Sequence, residues 1–259
     1  MKFYEFKNIT KDSADFYLYG AIVTDKDGWF SSESDVSLAE FKQALDDLGN
    51  VKTLNMYINS PGGEVFVAST MISMLKRMKD KGTTINAYVD GLSASAASFL
   101  MMIADNINLY NNSVVMIHKP MAIAMGNSND FQQMINTLDK LEDTIMLPMY
   151  MEKAIDGVDE KQIKDLLTAE SWFSAKDMAK YFNVNLLDES KNVKAMVSKE
   201  LFKNYKNAPK DLIEEEETEP DAEDTEPVEL KIDEAIEEKQ KEIADKTIAK
   251  AKMLLELEI

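Results

Sequence analysis

Over the first 200 residues, the apolar positions switch repeatedly between the two-residue period of a strand and the 3.6-residue period of a helix. ADFYLYGAIV (14–23) predicts a strand, and LAEFKQALDDLG (38–49) an amphipathic helix ended by Gly49. TLNMYIN (53–59) predicts a second strand, broken by Ser60-Pro61-Gly62-Gly63, before VFVASTMISMLKRMKDKG (65–82) resumes a helical period with a glycine stop. TTINAYVDG (83–91) predicts the next strand, followed by the small-residue run Leu92–Ser98 and the apolar FLMMIA. NINLYNNSVVMIHKP (106–120) suggests one or two short strands, and residues 128–155 are helix-compatible, with Pro148 expected to kink or divide them. DEKQIKDLL and SAKDMAKYF predict short helices, the second capped by Ser174, and VNLLD closes the pattern. Such alternation predicts an α/β domain with a substantially parallel sheet.

Charge divides the remainder of the chain. Of 259 residues, 29 are basic and 47 acidic. Between Asp211 and Glu229 there are 11 acidic residues, two prolines and no base, a composition that cannot bury enough apolar surface to offset the entropy of ordering. A flexible acidic linker is therefore expected over 200–230, between a domain at 1–199 and a C-terminal helix at 231–259, where helix formers run without Gly or Pro. Ile236, Ile243 and Leu257 fall at sevenfold spacing, interrupted by Lys250, so that helix reads either as a weak coiled-coil seam or as a solvated or partner-docked helix.

The net charge of -18 argues against a nucleic-acid partner, because such a surface repels a phosphate backbone. The absence of cysteine excludes disulfides, a thiol nucleophile and thiolate metal sites. With no long apolar run and no signal-peptide pattern at the start, no membrane contact is expected, and a soluble cytoplasmic protein is the default.

Three features carry chemistry. His118, the single histidine, cannot make a convincing histidine metal site, but it can act as a general base near neutral pH for a hydroxyl nucleophile. Candidate hydroxyls cluster in GLSASAAS at Ser93, Ser95 and Ser98, where small side chains allow a sharp turn into the following helix. Gly91-Leu92-Ser93-Ala94-Ser95 fits the G-x-S-x-G elbow with its last glycine replaced, which by itself nominates Ser93. INSPGGEV supplies a glycine turn whose backbone N–H groups can converge on a developing negative charge. Each feature also has a purely structural reading: a lone buried histidine, a packed helix start, a strand-to-helix turn.

Taken together, YINSPGGEV, GLSASAASFL and VVMIHKP resemble the Clp protease proteolytic subunit family in order, spacing and context over roughly residues 15–190, nearest in character to the shorter enzymes of phage head-assembly modules. The resemblance implies a crotonase-like, ClpP-type spiral α/β fold with the helical extension appended, and a serine peptidase that assembles into homo-oligomeric rings, stacked around an internal chamber. It places the nucleophile on Ser95 rather than Ser93, the base on His118, and the oxyanion donors on the backbone N–H of Gly62 or Gly63 and of Ala96. The family acid belongs in IKDLLTAESWFSAKDMA, where ungapped matching reaches Leu166; Asp165 requires a one-residue shift, and Glu170 is the alternative third member.

No metal or organic cofactor is implied. The expected role is a prohead or head maturation protease acting on capsid or scaffold protein. The competing expectations are a proteolytic subunit working with an AAA+ unfoldase and a catalytically silent ring or scaffold component.

Overall fold

In the computed structural model, the described residues are 4–25, 35–188, 205 and 207–208. The expected C-terminal helix at 231–259 lies outside them, as does nearly all of the expected linker.

The elements in chain order are β1 (Tyr4–Lys7), β2 (Ser13–Tyr19), β3 (Ile22–Val23), β4 (Val36–Ser37), α1 (Leu38–Leu48), β5 (Thr53–Ser60), α2 (Val65–Asp80) and β6 (Thr84–Ala94). There follow α3 (Ala96–Met101), β7 (Asn106–Tyr110), β8 (Val114–Ile117), α4 (Ser128–Leu141), α5 (Leu147–Lys153), α6 (Glu160–Thr168), β9 (Ser171–Ser174), α7 (Ala175–Met178) and β10 (Asn185–Leu187). The main sheet runs β1-β2-β5-β6-β7-β10, and its central pairs β2/β5, β5/β6 and β6/β7 are parallel. This is the α/β domain the alternating periods predict.

Strand alternation sets the core. Phe16 and Leu18 of β2, Met56 and Ile58 of β5, and Ala87 and Val89 of β6 are buried on one face. The apolar stripe of α2, including Met71, Ile72 and Leu75, belongs to the same buried cluster. Truncating one of these, as in Leu75→Ala, costs about 2–5 kcal/mol through lost burial and the cavity left behind. On the opposite face Tyr17, Tyr57 and Tyr88 stack across the three strands at 4.8 and 5.2 Å between ring centroids.

Local chemistry sets several boundaries. Ser37 and Glu40 form a capping box at the start of α1, and Asp159 and Gln162 form another at the start of α6. Gly20, at φ 140°, separates β2 from β3, so the single strand expected over 14–23 is two. Pro148 lies in the first turn of α5, and the division expected near it is made by a π-helical turn at Glu142–Met146. The short β9 has no counterpart in the sequence reading.

One irregularity positions the site. The first half of β6 pairs with β7 through Val89, whereas Leu92–Ala94 pair instead with β8. At this change of partner, Asn59 Oδ1 accepts the Leu92 N–H, and a Cβ on Gly91 would lie 2.9 Å from that oxygen. The segments following β5, β6 and β8 thus emerge side by side at the carboxyl ends of parallel strands, where α/β sheets form their crevices.

Candidate active site

Ser95 follows β6 and immediately precedes α3. Its backbone has φ 52° and ψ -124°, a conformation costly for a residue with a Cβ. The strain is held on both sides: the Ser95 N–H donates to Met116 O at 2.9 Å, and Ser98 Oγ donates to Ser95 O at 2.6 Å. Ser98 Oγ also lies 2.7 Å from the hydroxyl of buried Tyr150. This sharp turn leaves the Ser95 side chain out of helix capping and directs it at His118, with Oγ 2.7 Å from Nε2.

The neighbouring hydroxyl does not share that position. Ser93 is fully buried within β6, and its Oγ has no hydrogen-bond partner among the described residues. The G-x-S-x-G spacing nominates Ser93, but the strained turn that faces His118 falls two residues later, at Ser95.

His118 follows β8 and is only 6 % exposed. Burial disfavours the imidazolium and holds its pKa below the ordinary value, while the charge of Glu170 pulls the other way. The result is a ring that stays neutral near pH 7 and can accept the Ser95 proton at Nε2.

The two acidic candidates are placed very differently. Asp165 sits on α6 with a side chain 64 % exposed, paired with Lys161 one turn away at 2.6 Å. Glu170 sits in the turn between α6 and β9 at φ 49° and is 9 % exposed. The antiparallel register of β8 and β9 sets Ile117 opposite Ser171, which brings residue 170 beside residue 118. The Lys119 N–H donating to Leu167 O at 3.1 Å ties the same two segments together. Glu170 acts on His118 through its charge; its Oε1 accepts a hydrogen bond from the Asn207 N–H at 2.7 Å.

The glycine turn lies directly against the elbow. A Cβ on Gly62 would fall 2.5 Å from Ala94 O and 2.8 Å from both Ala96 N and Ser95 Cβ, and one on Gly63 would fall 2.1 Å from Ile22 O. Both positions have positive φ, 93° and 147°, so glycine is required twice over. The Gly62 N–H is committed to Ser60 Oγ at 3.1 Å. The Gly63 and Ala96 amides, the latter at the first residue of α3 and so without a helical acceptor, have no acceptor among the described residues and are the candidates to hold an oxyanion.

Gly62, Gly63, Ser95, Ala96 and His118 line one cleft of about 230 Å³, which also holds Phe99, Met146 and Tyr205. Tyr205 was missed by sequence reasoning, which places it in the linker. A strained serine, a buried neutral histidine, a nearby carboxylate and two backbone amides with no acceptor among the described residues make up equipment for acyl transfer.

A family model described as Clp protease matches residues 29–187. Over 139 residues the chain is 27 % identical to "ATP-dependent Clp protease proteolytic subunit 2" of Treponema denticola, covering 53 % of this chain and 66 % of that one. It is 30 % identical over 139 residues to "ATP-dependent Clp protease proteolytic subunit" of Deinococcus radiodurans, covering 53 % and 65 %. With "ATP-dependent Clp protease proteolytic subunit 1" of Salinibacter ruber it shares 26 % identity over 158 residues, covering 60 % and 64 %. In each case the match spans just under two thirds of the relative's own length.

Proposed function

This chain belongs to the Clp protease family, and from that premise we propose that it is a serine endopeptidase with Ser95 as nucleophile and His118 as general base. The observation that carries the proposal is the 2.7 Å separation of Ser95 Oγ and His118 Nε2 at a strained turn. His118 takes the hydroxyl proton as Ser95 attacks a peptide carbonyl, and the Gly63 and Ala96 N–H groups receive the oxyanion. His118 then returns the proton to the leaving amine. A water molecule, activated by the same ring, hydrolyses the acyl-enzyme. Glu170 supplies the third function, favouring the imidazolium that forms at each transfer.

The relatives' names, each that of a proteolytic subunit of an ATP-dependent Clp protease, favour the subunit reading over the other two; an AAA+ unfoldase partner, a homo-oligomeric ring and a cytoplasmic location are part of what we propose with it. A crotonase-like spiral fold belongs to the same reading. The prohead maturation role expected from sequence draws no support from those names.

The test is degradation of a folded, tagged protein and of a short fluorogenic peptide, with and without an AAA+ unfoldase and ATP. Protein degradation that requires both is the expected result. Cleavage of capsid or scaffold protein without the unfoldase would restore the maturation role. Failure to hydrolyse either substrate under all conditions would leave a silent ring component.

A further inference from the structure

The cleft already contains part of the chain. Tyr205 reaches it from beyond the last described strand, and its hydroxyl donates to Pro61 O at 2.8 Å and lies within hydrogen-bonding reach of Ser95. Its ring meets the His118 ring edge-on at 5.5 Å and the Trp172 ring at 5.8 Å. Two residues on, the Asn207 N–H donates to Glu170 Oε1 and Asn207 Nδ2 donates to Ala169 O at 2.9 Å. Ala208 packs with Tyr205 on the small cluster of Leu92, Ala94 and Met116 beneath the elbow. Burial pushes the Tyr205 hydroxyl up to about 12, so it remains a protonated donor throughout the working range.

Resting on the peptidase reading, we propose that Tyr205 and Asn207 form an autoinhibitory strap across the Ser95–His118 pair, which an incoming peptide must displace. A substrate carbonyl aimed at Gly63 and Ala96 brings its flanking backbone along the Pro61–Gly63 lip. Tyr205 already holds the Pro61 carbonyl there, so strap and peptide compete for one space. The strap also engages all three polar members of the site, through Ser95, His118 and Glu170. Apparent affinity for peptide is reduced by the fraction of molecules in which the strap is open.

The test compares the parent, Tyr205→Ala and Tyr205→Phe in the rate of Ser95 modification by a peptidyl phosphonate. Tyr205→Ala reacts about 10- to 100-fold faster than the parent, and Tyr205→Phe falls between them, keeping the ring contacts and losing the bond to Pro61. Equal or slower reaction of Tyr205→Ala overturns the strap. Absence of any Ser95-dependent adduct in all three proteins overturns the peptidase reading and the strap's regulatory role with it.

Hydrogen exchange reads the strap without chemistry at the serine. In Ser95→Ala protein the Asn207 amide exchanges slowly, and a saturating peptide accelerates it. Fast exchange without peptide, or protection indifferent to peptide, overturns the strap even where labelling succeeds.

Discussion

On one side of the cleft, at the carboxyl ends of β6 and β8, Ser95 and His118 are fixed by backbone. Ser95 is locked by a bond to β8 and by Ser98, and His118 follows directly from a buried strand. Behind His118, along α6 and the turn into β9, two carboxylates lie five residues apart and only one lies beside the histidine. Asp165 lies in solvent with its own lysine, whereas Glu170 is buried beside His118 and held by the Asn207 amide. The placement of Ser95 and His118 is thus determined by turns and strand ends, which short motifs encode. The placement of Glu170 is determined by how one strand edge registers against another, which spacing within a helix does not encode.

The sharpest break between the two sides is expected from their deletion. Ser95→Ala and His118→Ala should each lower kcat for peptide hydrolysis by on the order of 10⁶-fold, the loss seen when one member of a cooperating pair is removed. Ser93→Ala should leave kcat within a few-fold, since its hydroxyl faces neither the base nor the cleft. Next comes Gly62→Ala, whose new methyl would press on the Ser95 turn. It should cost at least about 10²-fold in kcat, comparable to loss of an oxyanion donor, and lower Tm as well.

The acidic side should respond more gently and more informatively. Glu170→Gln should lower kcat by about 10- to 1,000-fold, short of the ~10⁴ lost when a hydrogen-bonded triad acid is neutralised. Because Glu170 raises the His118 pKa against the effect of burial, its removal should move the acid limb of kcat/KM to lower pH. In the parent that limb already lies below the ordinary histidine value of 6.5, because burial is the larger effect. Unfolding releases the buried ring to its ordinary value and therefore takes up a proton. Stability attributable to His118 is complete above pH 6.5 and declines as pH falls below it, as a denaturant titration across pH 5–8 would show. The smallest effect belongs to Asp165→Asn, which should change activity by less than about twofold, because an exposed ion pair with Lys161 has little bearing on the cleft.

The legibility of the sequence follows the same division. Alternating periods are enough to reveal the α/β layer, because β2 and the first halves of β5 and β6 bury every second residue and α2 buries a continuous stripe. Glycines at 62 and 63 announced a turn that no other residue could make. The glycine pattern points to Ser93 because it cannot say where β6 ends, whereas the strained residue, Ser95, is the one that leaves the strand. Sequence alone leaves Asp165 and Glu170 both open as the third member, because SWFS is too short to stand out as a strand and its pairing to VVMI is not visible in spacing. Once Ile117 is set opposite Ser171, residue 170 lies beside residue 118 without reference to any motif. Tyr205 is illegible for a different reason: its immediate company in the chain, KNYKNAPK, is polar and basic, and its role comes from contacts with Pro61, His118 and Trp172 that sequence does not reveal.

The most direct test of the central claim is intact-mass analysis after treatment with a serine-reactive phosphonate, applied to the parent, Ser95→Ala and Ser93→Ala proteins at equal concentration. One adduct on the parent and on Ser93→Ala, absent from Ser95→Ala, is the predicted result. An adduct that persists in Ser95→Ala, or disappears with Ser93, would contradict it.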